Sequence, residues 1–218
     1  ITVLSRAVWQ PLFQELPGNV SFIGADLTGK HKGLWGLNHL YSELRRMHFD
    51  CVADFHHVLR ARYLCLRFRL ANISVASICK GRAGKKKLVR RQHKVMESQK
   101  SSFRRYADVL EKLGFPVLLN FSSIYGEGKG NFAEIEPVTG PKENRKWIGI
   151  APFAKHAGKI YPLELQERVV AHFAADPSVK VFLFGGGKKE QEIFDAWIAK
   201  YPSVVSMIGK LNMRTELN

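Results

Sequence analysis

The stretch Trp147-Ile148-Gly149-Ile150-Ala151-Pro152-Phe153-Ala154-Lys155-His156-Ala157-Gly158-Lys159-Ile160-Tyr161-Pro162 decides how the chain folds. Trp147–Ala151 is a short apolar run without strict alternation, as expected of a strand covered on both faces. A loop of small residues, two lysines and a histidine follows. The next stretch carries Leu165, Val169, Val170 and Phe173 at helical spacing and stops at Asp176-Pro177. A second strand run, Val179–Phe184, leads into Gly185-Gly186-Gly187. Ile193, Phe194, Trp197 and Ile198 mark another helix, and Val204–Met207 a third strand. Strand–helix alternation of this kind implies parallel sheets with right-handed crossovers, hence α/β layering.

The same rhythm runs upstream. Strands are expected at Ile1–Ser5, Val20–Gly24, Cys51–Phe55, Ile73–Cys79 and Val117–Asn120. Leu34, Leu37, Tyr41, Leu44 and Met47 mark one helix. Phe103, Tyr106, Ala107, Leu110 and Leu113 mark another, stopped by Gly114 and Pro116. The rhythm breaks once, over Phe121–Arg145, which is glycine-rich and reads as a linker with one short extended piece at Ala133–Pro137. The domain boundary is placed near Pro141, giving units 1–140 and 141–218. Ile1-Thr2-Val3-Leu4 reads as a strand from the first residue, and Asn212–Asn218 as a helix just beginning. The chain is therefore expected to be an internal fragment of a longer protein, or only its ordered part.

Composition sets bounds. The 218 residues are 45% hydrophobic and 24% charged, which excludes wholesale disorder. No apolar run reaches the roughly 18 residues of a membrane-spanning helix. Three cysteines, Cys51, Cys65 and Cys79, without CxxC spacing, speak against a disulfide scaffold or structural zinc. They fit a reducing compartment as small core residues. The charge is the unusual quantity: 34 Lys and Arg against 19 acids gives +15. Lys80–Arg105 alone holds eleven basic residues and one acid, 11 − 1 = +10 of that total. Such a segment is either a solvated loop or a docking surface for a polyanion.

Ligands of open α/β sheets bind beyond the carboxyl ends of the strands, so the loops after each strand carry the chemistry. After the first quoted strand, Lys155, His156 and Lys159 precede a helix whose N-terminal N–H groups favour phosphate. The plain alternative is an ordinary basic loop. After Val179–Phe184, three glycines allow close backbone approach and Glu190 opens the next helix, where it can accept from ribose hydroxyls. The alternative there is a tight turn with a glutamate at the positive helix end. Gly209-Lys210-Leu211 forms a third loop on that edge. Upstream, Asp54-Phe55-His56-His57-Val58-Leu59-Arg60 follows a strand and offers a histidine pair beside arginines for an anionic substrate. No further ligands at workable spacing complete a metal site, and no GxSxG, HExxH or kinase signature occurs.

On these residues the chain resembles glycosyltransferase family 9, the ADP-heptose:lipopolysaccharide heptosyltransferases. Lys159 stands two places before the pair Tyr161-Pro162, and Phe184-Gly185-Gly186 is followed by Glu190, as in that family. Asp54–Arg60 is similar to the family's Asp-Leu-His-x-x-Leu-Arg stretch, and Lys80-Gly81-Arg82 resembles a basic segment of some members. The resemblance implies two Rossmann-like domains facing a cleft, the GT-B arrangement, with Phe121–Arg145 as hinge. It implies transfer of a heptose or related sugar from an ADP-sugar to the inner core of lipopolysaccharide. The step is metal-independent attack by a sugar hydroxyl, with no cofactor.

Carried over residue by residue, the resemblance implies that Lys159 and the Ala154–Lys155 backbone hold the diphosphate, Glu190 meets the ribose, the Lys210–Leu211 backbone lies against the adenine, and Gly185 and Gly186 also belong to the nucleotide-sugar site. His57, Arg60 and Arg82 face the phosphorylated, Kdo-containing acceptor. The implied location is cytoplasmic and peripheral at the inner membrane, with the anionic inner-leaflet surface as partner of Lys80–Arg105. The family's catalytic aspartate falls before Ile1 and its late Asp-Ser/Thr-Gly-x-x-His element after Asn218, so the catalytic residue is unknown. Lys155 and His156 replace the Ser or Thr frequent in other members. Two rival readings stand beside this one: a basic nucleic-acid-binding module, which lacks interleaved aromatics and is not expected, and an inactive relative acting as a binding protein.

Overall fold

A computed structural model describes residues 1–13, 18–121 and 130–217. The chain divides into two compact units, Ile1–Ile124 and Tyr125–Asn218. The first contains β1 (Thr2–Arg6), a 3-10 segment (Ala7–Phe13), β2 (Ser21–Ala25), α1 (Gly33–Arg45), β3 (Cys51–Asp54), α2 (Leu59–Leu70), β4 (Ser74–Ser77), α3 (Arg82–Leu88) and α4 (Ser102–Lys112). The second contains a 3-10 turn (Phe132–Glu134), α5 (Glu136–Thr139), β5 (Lys146–Ile150), a 3-10 turn (Ala157–Lys159), α6 (Leu163–Ala174), β6 (Val179–Leu183), α7 (Lys188–Lys200), β7 (Val204–Ser206) and a 3-10 turn (Thr215–Leu217). Every strand pairing is parallel: β1 with β2, β3 with β4, and β5-β6-β7 in that order. The fold class is α/β, as the alternation predicts.

In the second unit, Val179, Val181 and Leu183 of β6 point to one side. There they meet Val170 of α6 and Phe194 and Trp197 of α7. Leu183, Val170 and Phe194 are fully buried. Phe182 points to the other side and meets Trp147 with tilted rings at 4.8 Å, and Trp147 meets Phe132 at 5.7 Å. Lys180 donates to the Thr139 carbonyl on that side. The segment 132–139 is thus the cover of the sheet's second face. This is why the unit begins earlier than the boundary read near Pro141: covering both faces of β6 takes residues upstream of it.

In the first unit, Leu40, Tyr41 and Leu44 of α1 and Leu64 and Phe68 of α2 pack with Ala25 in one core. Ala76, Ile78 and Val109 form a second core where α4 meets the other side of β3 and β4. Leu34 and Met47, the ends of the expected α1 stripe, stay exposed.

Three expectations are corrected, and one helix is present that none of them included. Val117–Asn120 forms no strand; Leu118 is 87% exposed and the run has no pairing partner among the described residues. Ala133–Pro137 is helical, not extended, because Pro137 opens α5 in its first turn, where its missing N–H costs nothing. Of the cysteines, only Cys65 is buried, while Cys79 is exposed. The segment Leu59–Leu70, which shows no single helical stripe, is a 12-residue helix. The expected hinge Phe121–Arg145 lies partly outside the described residues.

Candidate functional site

Parallel pairing of β5, β6 and β7 puts their following loops on one edge. Phe184 N donates to Ile150 O at 2.9 Å and Met207 N to Leu183 O at 2.9 Å, so each strand hands its loop to the same side. The β5 and β6 loops meet there. Ala151, Phe153, Ala154 and Lys155 from one, and Phe184, Gly185 and Glu190 from the other, wall a cavity of about 370 Å³. The two loops singled out by sequence are brought together.

The geometry of the β6 loop explains its glycines. Glu190, in the first turn of α7, reaches back so that its Oε2 accepts from Gly186 N at 2.7 Å. A Cβ on Gly185 would stand 2.7 Å from that oxygen and 3.2 Å from Phe194. Gly187, at φ 91°, occupies backbone space that favours glycine. The carboxylate is held at the cavity with its second oxygen unpartnered among the described residues.

The remaining predicted positions fall outside that wall. Lys159 closes the 3-10 turn Ala157–Lys159 and is exposed, without an acidic partner among the described residues. It stands three residues before Pro162, the N-cap of α6, whose first N–H groups have no side-chain cap. Lys210 lies in a turn after β7, with its N–H on Met207 O at 3.2 Å and Gly209 at φ 68°. Leu211 is half-buried beside it. Beyond them Asn212 Oδ1 accepts from Arg214 N and Thr215 N at 3.0 Å each, the capped turn that the sequence reads as a helix beginning.

The first unit organises its edge differently. Asp54, buried at the end of β3, accepts from His56 N at 2.9 Å and His57 N at 2.8 Å through Oδ1. His57 takes a left-handed conformation (φ 48°), and its Nδ1 lies 3.0 Å from the Ile78 carbonyl just past β4. The β3 and β4 loops are therefore tied together. Arg60 projects from the first turn of α2 and Arg82 opens α3, both exposed. Asp54 Oδ2 is buried without a hydrogen bond among the described residues. Burial, and then the Asp54 carboxylate, push the neighbouring Cys65 thiol up to about 11, so it is no nucleophile at neutral pH.

One more polar loop follows β2 in this unit. The Asp26 carboxylate accepts from the N–H groups of Thr28, Gly29 and Lys30 at 2.8–3.2 Å. These bonds hold its carboxyl below the usual range. Fully buried His31 lies 3.1 Å from Glu43, with Asp26 N donating to its Nδ1. The signal was present as Asp-x-Thr-Gly after a strand, an Asx-type turn.

The two ends of the basic segment are tied together. Arg105 of α4 donates to Cys79 O at 2.8 Å and Lys100 O at 2.9 Å, and its guanidinium lies over Gly81 (φ 60°). Lys100 and Arg104 pair with Asp108. The other eight cations of Lys80–Arg105 have no acidic partner among the described residues. No group of three or more His, Cys, Asp or Glu poised for a metal occurs among the described residues, and no helix there is long and apolar enough to cross a membrane.

Comparison with family models and with curated proteins finds no match. Solved structures do match. A glycosyl transferase family 9 protein from Veillonella parvula superposes with a TM-score of 0.67 at 18% identity, over 99% of this chain and 62% of that one. The Escherichia coli heptosyltransferase WaaC, solved with ADP, gives 0.57 at 13% identity, over 90% and 61%. The fold is that of glycosyltransferase family 9. The chain spans about 62% of the length of the first of these structures and about 61% of the second, so the fold likeness covers nearly all of this chain but not all of theirs.

Proposed function

We propose that the chain is the greater part of a glycosyltransferase that takes an ADP-sugar, with heptose as the leading sugar. The acceptor is an anionic lipid-linked glycan of the lipopolysaccharide inner-core type. The observation that carries the reading is the cavity at the carboxyl edge of β5 and β6, where Glu190 is fixed against a glycine turn and Lys155 stands opposite in the β5 loop. A nucleoside placed there offers its ribose hydroxyls to the open oxygen of Glu190. Its diphosphate then runs along the Ala154–Lys155 backbone toward Lys159 and the uncapped start of α6, with Lys210 and Leu211 beside the base.

In the transfer, an acceptor hydroxyl forms a bond to the anomeric carbon while the bond from that carbon to the phosphate oxygen breaks. ADP leaves with the electron pair, and the hydroxyl proton passes to a base. The charge gathering on the leaving diphosphate is met by ammonium groups and helix N–H groups. In the first unit, His57, Arg60 and Arg82 are the proposed contacts to phosphate or carboxylate groups of the acceptor. An anionic inner-leaflet surface is the proposed partner of the eight unpaired cations.

Thermal unfolding with a nucleotide panel tests this. ADP at about 100 times its Kd should add about 2.7 kcal/mol of stability, and UDP and GDP less. Lys159→Ala should weaken ADP tenfold or more without changing the unliganded Tm, the effect of losing a charge-assisted contact of about 1.5–3 kcal/mol. Absence of any ADP shift in the wild type overturns the donor site. Weakening in Lys155→Ala but not in Lys159→Ala moves the diphosphate into the cavity wall.

A further inference from the structure

Helix α2 has two apolar faces, and only one is used by the fold. Leu64 and Phe68 enter the core with Tyr41 and Leu44. Leu59, Leu66 and Leu70 are 80%, 52% and 75% exposed. At about 3.6 residues per turn these three fall within about 40° of one another and about 180° from Phe68. Arginines border the stripe on both sides: Arg62 and Arg69, seven residues apart, on one flank, and Arg60 on the other. All three are exposed and none has an acidic partner among the described residues. Arg67, also on that second flank, is spent internally, its guanidinium lying 4.4 Å from the Tyr41 ring centre and donating to Tyr63 Oη. The helix contains no acid.

We infer that α2 is a membrane-contacting helix, its Leu59–Leu66–Leu70 stripe entering an anionic phospholipid surface and Arg60, Arg62 and Arg69 reaching back to the phosphates. Long arginine stems allow that geometry, with apolar methylenes against acyl chains and the charged head at the interface. The charge pattern selects this occupant. The helix carries cations on both flanks of the stripe and no acid, and lipid phosphates supply counter-charge along its whole length. A cavity of about 520 Å³ opens on the Arg62 and Arg69 flank, walled also by His57 and Ser77, and has room for a phosphate headgroup. The inference rests on the reading of an acceptor carried by a lipid surface. It adds that binding is partly apolar, which the lysines of α3 cannot provide.

The test is co-sedimentation of the full chain with vesicles of phosphatidylcholine, alone or with about 30% phosphatidylglycerol, at low and at high salt. Wild type should bind the anionic vesicles, and a fraction should persist in high salt, where purely ionic docking is screened. Leu59→Ser with Leu66→Ser and Leu70→Ser should abolish the salt-resistant fraction, with partitioning falling about tenfold or more. Arg62→Gln with Arg69→Gln should lower partitioning several-fold at low salt only. In both variants the ADP-induced thermal shift should equal that of wild type, so a failed donor site and a failed membrane helix give different results. Should the leucine variant not fold, Leu66→Trp replaces it, with added fluorescence quenching by brominated lipid as the expected result. Unchanged partitioning of the leucine variant overturns the inference. So does loss of a dimer in that variant without loss of vesicle binding, which would assign the stripe to a second copy.

Discussion

The two units both place a carboxylate where a strand ends, and use it in opposite ways. Asp54 precedes its loop, is buried, and catches two N–H groups as the chain leaves β3. Glu190 follows its loop, borders a cavity, and reaches back to one N–H across a glycine turn. The first arrangement spends a charge on fixing a loop whose cations then face outward. The second keeps a carboxylate oxygen and a side-chain-free backbone for a ligand. One unit holds its shape to present side chains; the other thins itself to admit a molecule.

Substitutions separate these roles. The largest effect is expected from Asp54→Ala, which leaves two loop N–H groups without their charged acceptor. It should cost about 3 kcal/mol in urea unfolding while ADP affinity in the folded fraction stays unchanged. Glu190→Ala should do the reverse, with ADP about tenfold weaker by calorimetry and stability lowered by about 0.5–1 kcal/mol. Equal destabilisation by both variants would erase the contrast. Gly185→Ala should fall between, because its Cβ would sit 2.7 Å from Glu190 Oε2 and turn the carboxylate away; ADP should weaken about threefold.

The smallest effect concerns acid. Lys30 and then His31 hold the Glu43 carboxyl below its ordinary 4.5. A depressed folded value means that the stabilisation is complete above the unfolded value and drains away as pH falls through the lowered one. Glu43→Gln should therefore unfold less steeply below about pH 4.5 than wild type, with no change in acid sensitivity above it. Acid titrations followed by circular dichroism would show the two curves converging at low pH.

Much of this fold was readable in advance because parallel strands covered on both faces are spelled as plain apolar runs. Seven of the eight expected strands are present, each within a residue or two of its reading. The exception, Val117–Asn120, has strand composition but no neighbour to pair with, and pairing is a tertiary fact. Helix α2 was illegible for a related reason. Leu64, Leu66, Phe68 and Leu70 alternate with cysteine and arginine, and a helix that is apolar on two faces blurs the 3.6-residue period. At the candidate site, position along the chain was enough to find both loops, since parallel order alone puts them on one edge. Which lysine lines the cavity was not legible, because a three-residue turn at Ala157–Lys159 decides where each side chain projects.

The Arg105 clamp over Gly81 has a consequence for how the lysine cluster behaves in solution. A tether at the root of α3 means that Lys85, Lys86 and Lys87 are presented as a fixed array instead of as a sweeping tail. Little chain freedom remains to be surrendered when a polyanion arrives, so the encounter is governed by displaced counterions and should track ionic strength closely. Cutting that tether with Arg105→Ala would turn the array into a fuzzy, adaptable brush that still attracts anions but no longer sets their spacing.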